Sequence, residues 1–214
     1  MKIETIPVGL IRTNCYIAFD PQTREAFIVD PGDTAARILA FVEKNGLHVS
    51  HILLTHSHFD HILALADVQA ATGALVCIHQ LEAGCVEAPD HAETRSLRMP
   101  DLYIKPAKVG RRLQDGDELM LLGSTFTVLH TPGHTRGSVC YDNGKLLFSG
   151  DTLFEDDCGR TDLPGGSLTD MQASLRRLYD LPGERIVYPG HDVSTTLSRE
   201  RAANADMLRA VRAI

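Results

Sequence analysis

The sequence predicts a layered α/β (α+β) protein, with strands gathered into two sheets and helices outside them. Three observations predict it. Short apolar strand patterns and amphipathic helical patterns share the whole chain. The strands come in groups instead of in strict alternation with helices. No internal repeat, low-complexity tract or linker-like stretch divides the 214 residues, a length that suits one large domain over 1–214.

The elements read in order as follows. "KIETIPV", "NCYIAF" and "AFIVD" are strand-like, with the turn "PQTR" before the third. "DPGD" ends that strand and opens a helix that Asp33 or Thr34 can cap. Ile38, Phe41 and Val42 give this helix its inward face, and Gly46 stops it. "HILLT" reads as a buried strand, "ILALADVQAATG" as one helix ended by Gly73, and "ALVCI" as another strand. Residues 80–117 have weak periodicity and several prolines, so they are expected to be irregular. Their basic residues Arg95, Arg98, Lys105 and Lys108 suit a substrate flap or a solvated insertion. "ELMLLG", "TFTVLHT", "SVCYD" and "KLLFSGD" read as a four-strand meander. "SLTDMQASLRRLYDL" is a helix capped by Ser167, with Leu168, Met171, Leu175 and Leu178 on one face. "RIVYPGHD" is a strand ending in a loop, and "LSRERAANADMLRAVRAI" a final helix with Ala205, Leu208 and Val211 in register.

Polar residues follow four of these strands directly. His56, His58, Asp60 and His61 follow "HILLT", His134 follows "TVLHTPG", Asp151 follows "KLLFSG" and His191 follows "RIVYPG". Burying such groups without partners costs several kcal/mol, on the order of 2–7 each, so a partner is implied. A single histidine after a strand is more often a hydrogen-bonded structural residue than a ligand; the four turns together point to a metal. Imidazole and carboxylate without thiolate suit zinc, with iron or manganese as alternatives. Seven ligands exceed the needs of one tetrahedral ion and fit two divalent ions sharing a carboxylate, at roughly 3.5–4 Å. His48, His51, His79, His91 and His130 lie outside the pattern and read as structural.

The formal charge of −7 opposes binding to phosphate backbones. The N-terminal stretch has no signal-peptide core, and no apolar run is long enough to span a membrane. Cys15, Cys77, Cys85, Cys140 and Cys158 make no CxxC pair and read as reduced thiols of a cytoplasmic protein. The partner expected is a small-molecule substrate, not nucleic acid or membrane.

The motifs "THSHFDH", "TPGHT", "SGDTLF" and "YPGHD", with "DPG" before the first helix, resemble those of the metallo-β-lactamase superfamily, in the same order. The resemblance implies a four-layer αβ/βα sandwich. It implies that His56, His58 and His134 bind one metal, that Asp60, His61 and His191 bind a second, and that Asp151 bridges. "CGRTDLPGGS" resembles the glyoxalase II-like branch (hydroxyacylglutathione hydrolases) and its relatives, the persulfide dioxygenases, here in a short form without the C-terminal helical domain. Arg160 and Asp162 would then lie behind or beside the metals, or form a structural salt bridge. Cys158 is expected to pack.

The activity expected is hydrolysis of a thioester such as a hydroxyacylglutathione-like substrate by a hydroxide held at a binuclear site. Asp151 bridges the ions, and Asp60 orients the water or takes its proton. The strongest rival is a mononuclear-iron persulfide dioxygenase: two histidines and a carboxylate form the oxygenase triad, and the resemblance to that family implies iron on His56, His134 and Asp151. A third reading is a non-catalytic metal-binding domain.

Overall fold

The computed structural model describes residues 1–90 and 102–212. They group into two compact units, one of 1–113 with 121–123, the other of 114–120 with 124 onward.

The first unit holds a six-stranded sheet in the order β1-β2-β3-β4-β5-β6. Its strands are β1 (Lys2–Val8), β2 (Thr13–Phe19), β3 (Glu25–Val29), β4 (His48–Leu53), β5 (Leu75–His79) and β6 (Val109–Leu113). β1, β2 and β3 pair antiparallel, and β3 to β6 run parallel. Parallel neighbours need crossover connections, supplied here by α1 (Ala35–Lys44), by α2 (Phe59–Ile62) with α3 (Leu65–Thr72), and past β5 by α4 (Ala83–Glu87). Fully buried Ile17, Ile28, Ile52, Ile38 and Val68 form the core beneath α1 and α3. Register pairs Val29 with Leu53 and Leu53 with Cys77, so β3 and β4 end level and β5 runs two residues further at the same edge. Whatever follows these strands is therefore delivered to one place, the arrangement that suits a site at the carboxyl ends of parallel strands.

The second unit holds a sheet in the order β12-β11-β10-β9-β8-β7. Its strands are β7 (Glu118–Leu121), β8 (Ser124–His130), β9 (Val139–Asp142), β10 (Leu146–Gly150), β11 (Ile186–Pro189) and β12 (Thr195–Thr196). β9 is antiparallel to both β8 and β10, and β10 is parallel to β11. The carboxyl ends of β8, β10 and β11 thus share one edge. Helices α5 (Leu168–Tyr179), α6 (Leu197–Ala203) and α7 (Ala205–Arg212) complete the unit. Met171, Leu175 and Leu178 of α5 and Met207 of α7 are buried against Leu147 and Val187. The Ser167 cap is present, its hydroxyl accepting from the Asp170 N–H at 3.2 Å.

Several expectations are corrected. Neither Asp33 nor Thr34 caps α1 through its side chain; Thr34 sits at the cap in a left-handed conformation, φ 55. "ILALADVQAATG" is not one helix, since α2 ends at Ile62 and α3 starts at Leu65, and the Ala64 N–H turns to the Pro31 carbonyl at 3.1 Å. Residues 80–117 contain α4 and β6, so the segment is not irregular throughout. Arg95, Arg98 and His91 lie outside the described residues, and Lys105 pairs with Asp67 at 2.7 Å. Leu168 points outward, 62% exposed, and Ser174 takes its place on the inner face of α5. The C-terminal helix is two helices broken at Asn204, so Met207 and Ala210 are buried instead of Ala205. Among the described residues no helix is long and apolar enough to cross a membrane.

Candidate metal centre

In the first unit, β4 delivers Thr55 and His56 at its carboxyl end, and α2 follows within two residues. His58 stands at the N-cap of that one-turn helix and His61 one turn on, its N–H bonded to the His58 carbonyl at 3.0 Å. Residues three apart on a helix share a face. The His56 ring lies 4.7 Å from that of His58 and 4.1 Å from that of His61. Asp60 belongs to the same turn and is buried.

Asp30, at the end of β3, fixes which nitrogen each ring presents. It is buried, in a left-handed conformation with φ 49. Its Oδ1 accepts from the Thr55 N–H at 2.8 Å, and its Oδ2 from the Thr55 hydroxyl at 2.6 Å. Its Oδ2 also lies 3.0 Å from His61 Nδ1. A carboxylate can only accept, so Nδ1 of His61 carries a proton, and in the neutral ring Nε2 presents a lone pair. The Thr55 hydroxyl has given its proton to Asp30, so at 3.1 Å it accepts from His56 Nδ1. His56 is thereby set to the same tautomer. One carboxylate orients two rings, the arrangement that supports metal-binding histidines. Asp60 is held in turn by the Thr13 hydroxyl, which donates to its Oδ2 at 2.6 Å.

In the second unit, His134 follows β8, Asp151 follows β10 and His191 follows β11. The His134 turn is clamped to α5, with the Ser174 hydroxyl donating to the Pro132 carbonyl at 2.6 Å and the Ser167 N–H to the Gly133 carbonyl at 2.8 Å. His134 Nδ1 donates to the Arg160 carbonyl at 2.8 Å, which again leaves Nε2 as the acceptor. Nε2 of His134 and Nε2 of His191 lie 3.4 and 3.5 Å from the same oxygen, Asp151 Oδ2. The backbone carrying that carbonyl comes so close that a Cβ on Gly159 would sit 1.9 Å from the Asp151 carbonyl and 3.2 Å from His134 Nδ1. Glycine is required there. The Phe154 ring packs edge-on against His191 at 6.1 Å.

These contacts test whether the residues fit a metal. In the second unit an imidazole lone pair on His134 faces a carboxylate oxygen, and in the first the Nε2 of His61 faces Asp60 Oδ2 at 3.3 Å. Lone pair against anion is repulsive unless a proton or a metal cation stands between them. Three imidazoles packed as His56, His58 and His61 are would repel one another if each took a proton, so a metal ion suits the set better. The donors are nitrogen and oxygen only, in keeping with zinc, iron or manganese. The residues fit.

Arg160 and Asp162 form a bidentate surface pair, with Arg160 Nε and a terminal nitrogen donating at 2.7 and 2.8 Å, and the Arg160 guanidinium holds the Asp162 carboxyl down at about 2. The salt-bridge alternative describes their side chains, and it is the Arg160 backbone that reaches His134. The Cys158 thiol is half-buried and pushed up to about 12 by burial and by Asp206 and Asp157, which fits packing and not nucleophilic chemistry. All five cysteines are free. Sequence reasoning missed the roles of Asp30, Thr13 and Thr55. The available signal was the "DPG" turn, whose aspartate ends a strand beside "HILLT".

The family described as the metallo-β-lactamase superfamily matches residues 8–191. Hydroxyacylglutathione hydrolase GloC of Haemophilus influenzae is 32% identical, over 95% of this chain and 97% of its own. The crystal structure of BLEG-1 B3 metallo-β-lactamase is 38% identical with a TM-score of 0.88, covering 96% of this chain and 99% of that one. TTHA1623, solved in a di-iron-bound form, is 38% identical with a TM-score of 0.83, covering 94% and 98%. The expected fold class is thereby borne out, and so is the resemblance to the superfamily, with a hydroxyacylglutathione hydrolase among the similar proteins.

Proposed function

This chain belongs to the metallo-β-lactamase superfamily, and from that premise we propose that it is a thioesterase working through two divalent ions on a hydroxyacylglutathione-like substrate. We assign His56, His58 and His134 to one ion, Asp60, His61 and His191 to the other, and Asp151 to both. The observation that carries this reading is the fixed tautomers, with Nε2 of His61 and of His134 each turned toward a carboxylate oxygen. The hydrolase named for a relative of matching length supports the thioester.

When bound, the metal pair supplies Lewis acidity, which lowers the pKa of water to near 7 and polarises an acyl oxygen. The chain's residues do the rest. Asp30, directly and through Thr55, and the Arg160 carbonyl occupy Nδ1 of three imidazoles, so each ring is held in a fixed orientation that presents Nε2. Asp60, fixed by Thr13, orients the attacking water and takes its proton. A thiolate leaves without a strong general acid, so none is needed.

The test is metal content of protein purified without added metal or chelator, followed by a thioester panel with a β-lactam series beside it. About two equivalents of zinc, or of zinc with iron, together with thioester turnover, are expected. A single iron, with oxygen uptake on a glutathione persulfide and no thioester turnover, would replace this reading with the dioxygenase. Iron is a serious arm of the test because the 38%-identical TTHA1623 was solved di-iron-bound.

A further inference from the structure

A cavity of about 490 Å³ opens at the tip of the β1–β2 hairpin, within the size range of small-molecule sites. Arg12 and Arg37 line it, with one carboxylate, Asp33. Asp33 is engaged locally, its Oδ1 accepting from the Thr34 N–H. Arg37 is anchored by a terminal nitrogen donating to the Pro7 carbonyl at 2.8 Å. Arg12 has no hydrogen-bond or ion-pair partner among the described residues. The cavity thus carries two guanidinium groups against one carboxylate, in a chain of net charge −7.

The backbone here is unusual too. Arg12 has φ 59 and Thr34 φ 55, left-handed conformations that cost a side-chain-bearing residue about 1 kcal/mol or more. Glycine or asparagine would relieve the strain at the hairpin tip, yet an arginine stands there. Leu10, beside it, is 82% exposed, and Ile11 is 49% exposed. An apolar pair next to a cation with no partner among the described residues suits a ligand with an anionic end and an apolar stem.

The cavity also adjoins the first unit's metal-binding residues. Its wall residue Val8 pairs in register with Thr13, whose hydroxyl holds Asp60. A Cβ on Gly32 would meet Val8 Cγ2 at 3.3 Å and the Asp60 carbonyl at 1.8 Å, so wall and ligand turn close on the same glycine.

We propose that this cavity is the recognition subsite for a carboxylate of the substrate, held by Arg12 and Arg37, with Leu10 over the adjoining apolar stem. The inference rests on the thioester reading for the identity of that substrate. Carboxylate on guanidinium is a strong, geometrically defined pairing, and the excess of one positive charge matches one carboxylate.

The experiment is a calorimetric titration of the metal-loaded full-length chain. The probe is S-hexylglutathione, a thioether with two carboxylates and no scissile bond, compared with its diethyl ester. The free acid is expected to bind wild type more tightly than the ester. Arg12→Ala and Arg37→Gln should each weaken acid binding about tenfold, about 1.4 kcal/mol, and leave ester binding at the wild-type level. Arg12→Lys should recover part of the loss. Arg37→Gln also removes the bond to Pro7, so thermal melting and metal content check its fold; if it fails to fold, the exposed Arg12 variants decide alone. Equal affinity for acid and ester, variants indistinguishable from wild type, or no binding of the acid would overturn the subsite. Because the probe is never cleaved, the thioester panel fails or succeeds separately. Arginine-dependent binding without turnover would remove the thioesterase and keep the subsite.

Discussion

Asp30 carries more of the candidate site than any residue picked out as a ligand, although it ligates nothing in the proposed scheme. It orients Thr55, His61 and, through Thr55, His56. Asp30→Asn replaces an obligate acceptor with a group that has donors on one side, so one of these bonds must invert or break. Loss of such a supporting contact weakens metal binding about 10–100-fold. Chelator competition on the folded variant measures this, and an affinity equal to wild type would show that the tautomers are not set by Asp30. Asp151→Ala should lose metal and turnover together, and a fully active variant would remove the bridging assignment. The contrast between these residues explains what was legible. The seven proposed ligands sit in short local motifs, and a motif can be read. Thr13 meets Asp60 across 47 positions and Asp30 meets Thr55 across 25, and pairings that distant leave no local pattern.

At the scale of elements, the errors fall where local propensity and tertiary bonding disagree. "RERAANADMLR" is rich in helix formers, so a continuous helix is the natural reading. Asn204 breaks it by doing two jobs. Its Oδ1 caps α7, accepting from the Asp206 and Met207 N–H groups at 3.1 and 3.0 Å. Its Nδ2 donates to the Asp157 carbonyl and to Glu200 at 3.0 Å each. Buried Glu200 also takes the Asp156 N–H at 2.8 Å, so the break braces the loop that carries Phe154 to His191. Asn204→Ala should cost about 1–2 kcal/mol for the cap alone and more for the carbonyls left buried. Asn204→Asp should restore only the cap, and urea unfolding of both variants tests the division. On β4, burial holds His51 below its ordinary value of 6.5, and Arg111 adds to the effect. The unfolded chain then takes that proton more readily than the folded one. The stability this contributes is complete above pH 6.5 and is lost as pH falls through 6.5 toward the lowered folded value. The stability difference between wild type and His51→Gln should therefore shrink below pH 6.5 and stay constant above it; a difference that grows on acidification would contradict the burial argument.

For the whole molecule, the sequence carries the strands and the turns after them, and the sheet order explains why those turns matter. Parallel β3 and β4 end level beside β5, and β8, β10 and β11 share an edge, so each unit gathers its polar turns at one place. Strand order depends on pairings between distant segments, which composition and periodicity do not encode. Such edges bring anionic and lone-pair oxygens and nitrogens together at the expense of folding free energy, and the proposed ions offset that cost. A ligand that binds the native state alone stabilises it by RT ln(1 + [L]/Kd), about 4 kcal/mol at a thousandfold excess over Kd. Removing metal with a chelator should therefore lower the melting temperature, and returning zinc or iron should restore it. Asp30→Asn should show a smaller drop, because its metal is bound more weakly at the start. If loaded and chelated protein melted together, the seven side chains would be stable without an ion. The polar turns of each unit would then be an ordinary hydrogen-bonded network, and the metal assignment would fall with the function built on it.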